Sequence, residues 1–165
     1  MSAVAVILLL YVVFIRPWHL RWGATEAEIG RPMPGDEIVQ SPDFDATRAV
    51  GIAASPDRVW RLLERRAGEI LVRRGRMPVW ERQVEPGRWI VWRDPRRESS
   101  WSWQVQADGD GGTRLVARQR ARYHWRSPRV LLSLVAEVSD VVAVRAGLLD
   151  IKRQAERDPS PTGSR

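Results

Sequence analysis

SSWSWQVQADGDGGTRLVARQRARY, residues 99–123, decides the architecture. From Ser99 to Ala107 the residues alternate strictly: Trp101, Trp103, Val105 and Ala107 fall on one face, and Ser102, Gln104 and Gln106 on the other. That period of two marks a half-buried strand. Asp108-Gly109-Asp110-Gly111-Gly112 is a strong hairpin turn, so Thr113–Tyr123 returns antiparallel. On the returning strand Leu115, Ala117, Ala121 and Tyr123 share a face. Arg114, Arg118, Arg120 and Arg122 share the other with Val116 and are expected to be solvated, with carboxylate partners. Gln119 falls among the apolar residues, where an amide is costly unless it is hydrogen-bonded.

Outward from this hairpin the pattern continues. Val79–Val84 and Trp89–Arg93 read as two further strands, broken by Glu85-Pro86-Gly87 and Asp94-Pro95. Upstream, Thr47–Ala54 reads as a strand. Ser55-Pro56-Asp57 then opens a helix, with Ser55 as cap, Pro56 in the first helical position and Asp57 near the positive end of the dipole. Its stripe of Val59, Leu62 and Leu63 predicts a helix to about Arg66, before Gly68. Downstream, Ser127-Pro128 opens a long helix. Leu131, Leu134, Val135, Val138, Val141, Val142, Leu148 and Leu149 form its broad apolar stripe. Arg145 lies in or beside that stripe, where ion pairing is the first expectation. Residues 157–165, rich in Pro, Ser and Gly at the end, read as a disordered tail.

At the other end, Ala3–Ile15 (AVAVILLLYVVFI) carries no charge. Thirteen helical residues span only about 20 Å, and extension to Trp22 is needed to approach the ~30 Å of a bilayer core. A membrane anchor over residues 1–22 is expected, with Ile7, Leu8, Leu9 and Leu10 in the apolar core and Trp18 and Trp22 at the interface. A cleaved signal peptide and a buried core helix are the alternatives. Arg16 and Arg21 follow the run and no basic residue precedes it. The positive-inside rule then puts the rest of the chain in the cytoplasm, as a single-pass protein. Residues 23–45, rich in Gly, Pro and acids, read as an extended solvated linker, leaving 46–156 as the folded domain.

Composition narrows the function. Hydrophobic residues are 44% and charged residues 28%, which supports a packed core. There is no Cys and there are two His, so thiolate chemistry is excluded and a metal site is not expected. The net charge is +7, yet of 27 basic residues all but Lys152 are Arg, a coding bias more than a nucleic-acid signature. No nucleic-acid motif accompanies the charge, so none is expected as a partner. His124 has no evident triad partners, and no catalytic residue is assigned.

Several stretches together resemble bacterial proteins of the polyketide cyclase/dehydrase group in the START-like (SRPBCC) superfamily. They are RPWHLRWGAT (16–25), RPMPGDEIV (31–39), ATRAVGIAASPDRVWRLL (46–63), DGDGGTRLVARQRARY (108–123) and LLDIKRQAER (148–157). The resemblance implies an α+β helix-grip fold, a curved antiparallel sheet packed on the long C-terminal helix. Only residues 64–78 fill the space where the group has extra elements, so a shortened sheet and a smaller or more open cavity are expected. The resemblance further implies an apolar small molecule or lipid held between sheet and helix, with no cofactor. Trp80, Trp92, Trp101, Trp103, Ala117, Gln119, Val138 and Val142 would line that site. Two rivals stand beside this reading. One is a cyclase- or hydratase-type enzyme acting on a polyketide-like substrate. The other is a non-catalytic scaffold, in which the same Trp residues simply fill the core.

Overall fold

A computed structural model describes residues 16–72, 80–109, 111–123 and 130–157, with side chains except at 67–68, 70–72 and 130–141. The hairpin read from residues 99–123 is present as β4 (Ser99–Ala107) and β5 (Thr113–Ala121), with Trp101 opposite Gln119 and Trp103 opposite Ala117. Next to β4 lie β3 (Trp89–Arg93) and then β2 (Glu81–Glu85). β1 (Phe44–Ile52) pairs with β5, so the order is β1-β5-β4-β3-β2, antiparallel throughout. The chain closes its sheet by bringing its first and last strands together.

β1 starts three residues before the expected strand. Phe44 and Ala46 are buried on the inward face, and the Asp43 amide donates to Ala121 O, which extends the pairing. α3 (Pro56–Val72) likewise runs through Gly68, past the expected end. A helical Gly costs only about 1 kcal/mol against Ala. At the expected stop, Arg66 reaches both Glu69, one turn further on, and Asp150 of α4 (Val130–Arg157).

Both long helices pack on one face of the sheet. Val59, Trp60 and Leu63 of α3 meet Val144, Leu148, Ile151 and Ala155 of α4 over Ile90, Trp92, Trp101, Trp103 and Leu115. The spacing 144, 148, 151, 155 is one helical face. This is the α+β helix-grip arrangement: an antiparallel sheet holding a long C-terminal helix.

The opposite face of the sheet overturns the expectation of a solvated linker. α1 (Arg16–Leu20) sits at the β1 edge, with Leu20 on the inward-facing Phe44 and Ala46, and from α2 (Glu26–Gly30) onward an arm lies across the outer face of β1, β5 and β4. A capping box starts α2: the Glu28 amide donates to Thr25 Oγ1, and the Thr25 amide donates back to the Glu28 carboxylate. Met33 and Val39 are buried. Gly23 and Gly35 allow the close approach. Gly23 has φ +70°, and a Cβ there would fall 2.2 Å from Ala49 O. Gly35 has φ +93°, and a Cβ there would fall 2.7 Å from Ser102 Oγ. Beside these glycines, Ala49 N donates to Trp22 O at 3.1 Å and Ser102 Oγ donates to Pro34 O at 2.6 Å.

The arginines of β5 hold this arm and are not a solvated row. Arg118 is 3% exposed and is saturated: Nε donates to Thr47 Oγ1, Nη1 to Arg31 O and Asp36 Oδ2, and Nη2 to Glu28 O and Ile29 O. Arg114 forks onto both Glu28 oxygens at 2.6 and 2.9 Å. Burial pushes the Glu28 carboxyl up, but hydrogen bonds from Arg114 and from the Thr25 amide outweigh it and leave it below the usual carboxylate range. Arg120 bridges Asp36 and Asp45. Only Arg122 of the four is exposed as expected.

Among the described residues no helix is long and apolar enough to cross a membrane. Ile7, Leu8, Leu9 and Leu10 lie outside the described residues, as does the tail after Arg157. Trp18 is 57% exposed. Trp22 belongs to the folded body: it packs against the core, with the Arg145 guanidinium 5.0 Å from its ring centre. That contact, a cation over an aromatic face, also accounts for Arg145.

Candidate functional site

The inward face of the sheet is organised in rows set by the strand register. One row runs Arg48, Ala117, Trp103, Ile90 and Val84 across β1, β5, β4, β3 and β2. The next runs Ala46, Gln119, Trp101, Trp92 and Arg82. Trp101 and Trp103 meet edge to face with centroids 5.3 Å apart, and Trp92 and Trp101 lie 5.9 Å apart. Each side chain follows from the period of two, which turns alternate residues of every strand onto this face.

The structure brings Trp92, Trp101, Trp103, Ala117 and Gln119 together, all 3% exposed or less. Trp80 is half-buried and packs against the same cluster. Val142 does not join them. It is 66% exposed, because the α4 face turned to the sheet is the one carrying Val144 and Leu148. The Val138 side chain lies outside the described ones.

Two features make this face the candidate site. The first is Arg48, 1% exposed and on the same face as Val50 and Ile52. Its Nε donates to His19 O at 3.0 Å, which ties α1 to the edge of the sheet. Burial first, and then the positive charge of Arg48, push the His19 imidazole below its ordinary value, so it stays neutral near pH 7. The second feature is Trp103 Nε1, a fully buried donor with no acceptor among the described residues. Gln119, opposite Trp101, adds a third polar group to the same area.

The strand residues of this face carry no carboxylate among the described residues. Grooves of about 430, 470 and 490 Å³ open elsewhere, on the outer sides of α3 and α4 and beside the β4–β5 turn. None of these is lined by the Trp rows.

Arg48 was missed by the sequence reading, although its signal was present. Within TRAVGIAA the period of two puts Arg48 with Val50 and Ile52, and a lone charge in an apolar register marks a buried site.

The fold and the inward face together define an α+β domain in which a five-stranded antiparallel sheet packs on a long C-terminal helix. Solved structures to which the chain is similar include an Aha1 dimer from Colwellia psychrerythraea (14% identity, 70% of this chain and 98% of that one, TM-score 0.47). Others are a polyketide cyclase-like protein from Corynebacterium glutamicum (14%, 67% and 90%, TM-score 0.48) and a protein from Mycobacterium smegmatis (13%, 70% and 93%, TM-score 0.46). No protein-family model and no curated protein matches the sequence.

Proposed function

We propose that this protein is a membrane-anchored binding domain whose sheet and C-terminal helix hold an apolar molecule, a lipid or a similar ligand, that carries an acceptor-bearing head. The observation that carries this reading is Trp103 Nε1, fully buried without an acceptor among the described residues. An unsatisfied buried donor costs about 1–3 kcal/mol. A ligand oxygen placed there would recover that cost, and the buried Arg48 and Gln119 stand in the same rows to complement a polar or anionic head.

A second reading, a scaffold with a filled core, is favoured by the close packing of Trp92, Trp101 and Trp103. The two readings differ in one titration. The full chain, reconstituted in neutral phosphatidylcholine nanodiscs, is titrated with a fluorescent fatty acid against empty discs. Saturable one-to-one binding is expected, and Trp103→Phe, which keeps an apolar ring but removes the donor, should weaken it about fivefold to tenfold. No saturable signal above that of the empty discs would leave the scaffold reading.

In this reading the apolar run 3–15 anchors the chain, with the domain on the cytoplasmic side; without the extension to Trp22, which packs on the core, about 20 Å of helix inserts into the bilayer from that side and does not reach across it. The docked arm makes residues 23–40 part of the domain, so the anchor joins it directly at Arg16. Alkaline carbonate should leave the full chain in the membrane fraction and release a chain lacking residues 2–15. Release of both would remove the anchor from the account.

A further inference from the structure

The outer side of the helical layer carries a feature that ligand binding on the sheet does not use. A groove of about 490 Å³ between α3 and the end of α4 is lined by Arg58, Arg61, Leu62, Arg65, Gln154 and Arg157. Four of these six residues are arginines and none is acidic. Arg58 is half-buried and its Nη2 donates to Gln154 O at 3.5 Å, which fixes it at the floor. Arg65 Nε donates to Arg61 O, which places the two side by side on the rim.

Arg61, Arg65 and Arg157 are exposed and have no carboxylate partner among the described residues. Among the acids close by in the sequence, Glu64 pairs with Arg82, Asp150 with Arg66, and Glu156 with Lys152 and the Ala53 amide. Like charges gathered without compensation repel one another and gain from an anionic partner.

The shape of the groove narrows that partner. Arg61 and Arg65 stand at i and i+4 on one helix, about 6 Å apart along the axis, with Arg157 on the other helix across the groove. Carboxylates on one face of a partner helix recur at the same four-residue spacing. Guanidinium forks pair with carboxylates in bidentate fashion. Leu62 supplies an apolar contact between them. No aromatic side chain lines the groove for base stacking, which disfavours single-stranded nucleic acid. The groove also lies at the end of β1 marked by Gly51 and Ala53, which Lys152 and Glu156 bind. The chain enters at the other end, where Leu20 packs on Phe44 and Ala46.

We propose that this arginine-lined groove docks an acidic, helix-forming segment of a partner protein, with carboxylates at i and i+4 facing Arg61 and Arg65, a third acid toward Arg157, and one apolar residue facing Leu62. The site is separate from the inward face of the sheet and does not depend on what that face binds.

The test uses the full chain in neutral phosphatidylcholine nanodiscs and a fluorescein-labelled sixteen-residue helical peptide carrying Glu at that spacing around one Leu. Anisotropy at 0.15 M salt should show saturable one-to-one binding. The same peptide with Gln in place of Glu should bind at least tenfold more weakly. The double variant Arg61→Glu/Arg65→Glu should lose at least tenfold in affinity, and Arg157→Glu, on the other helix, should also weaken it. All three positions are exposed, so unchanged thermal midpoints are expected and separate lost docking from lost folding. Equal binding of the Gln peptide, or unchanged affinity in both variants, would overturn the proposal. So would binding of a labelled oligonucleotide or of phosphatidylserine vesicles through the same arginines while the Glu peptide does not bind.

Discussion

Replacing Arg118 by Ala is expected to lower the stability of the domain by about 3–5 kcal/mol and to release the arm from the sheet. The guanidinium is 3% exposed and donates to five acceptors on the arm and on β1, at 2.7–2.9 Å. Truncation would leave the Asp36 carboxylate without its 2.7 Å partner and strand the carbonyls of Glu28, Ile29 and Arg31 against a protein surface. Removing one partner of a buried pair costs more than the pair contributes, because the other charge stays desolvated. Arg118→Lys should recover only part of the loss, since an ammonium cannot fork between the Asp36 side and the α2 carbonyls. Urea unfolding followed by fluorescence measures the first effect. Limited proteolysis measures the second, with new cleavage expected between residues 23 and 40. A wild-type midpoint with no new cleavage would mean that the arm is held by its apolar contacts, Met33 and Val39, and not by the arginine.

Leu148→Asp is expected to abolish the fold altogether. Leu148 is fully buried on the α4 face that meets Trp103, Leu63 and Leu115. A carboxylate there has no cationic partner within that apolar cluster, and an unpaired buried charge costs several kcal/mol, comparable to the whole stability of a small domain. Circular dichroism should show lost near-ultraviolet Trp signal and no cooperative thermal transition. A wild-type melting curve would place this face of α4 in solvent and remove the grip of sheet on helix from the account.

Local periodicity made the sheet legible. The alternation in 99–107, the Asp-Gly turn and the return to Tyr123 define β4 and β5 without tertiary information, and each later strand has its own turn signal. The arm was not legible in the same way. Its helix, Glu26–Gly30, is too short to show a hydrophobic period, and a Gly- and Pro-rich acidic stretch reads as solvated. Thr25 and Glu28 did hold a capping-box spacing, the one local sign of order there. What turns that stretch into structure is non-local: β5 projects a row of arginines that water would hydrate equally well. Only the glycines at 23 and 35 admit the arm closely enough to replace that water.

The inward face divides in the same manner. Trp101, Trp103, Ala117 and Gln119 followed from the strand period, and the register then set them opposite one another. Val142 did not follow, because apolar residues wrap most of the circumference of α4 and the pattern alone cannot say which side meets the sheet. The choice is made by fit against Trp60 and Leu63, and it selects Val144, Leu148, Ile151 and Ala155.

The claim that the inward face holds an apolar ligand is tested most directly by mass. The full chain, purified in gentle neutral detergent, is examined by native mass spectrometry and then under denaturing conditions. The account predicts a one-to-one adduct of a single small apolar species, released on denaturation and depleted in Trp103→Phe. A parent protein that carries no adduct, and still binds no fluorescent fatty acid, would contradict it and leave a packed core.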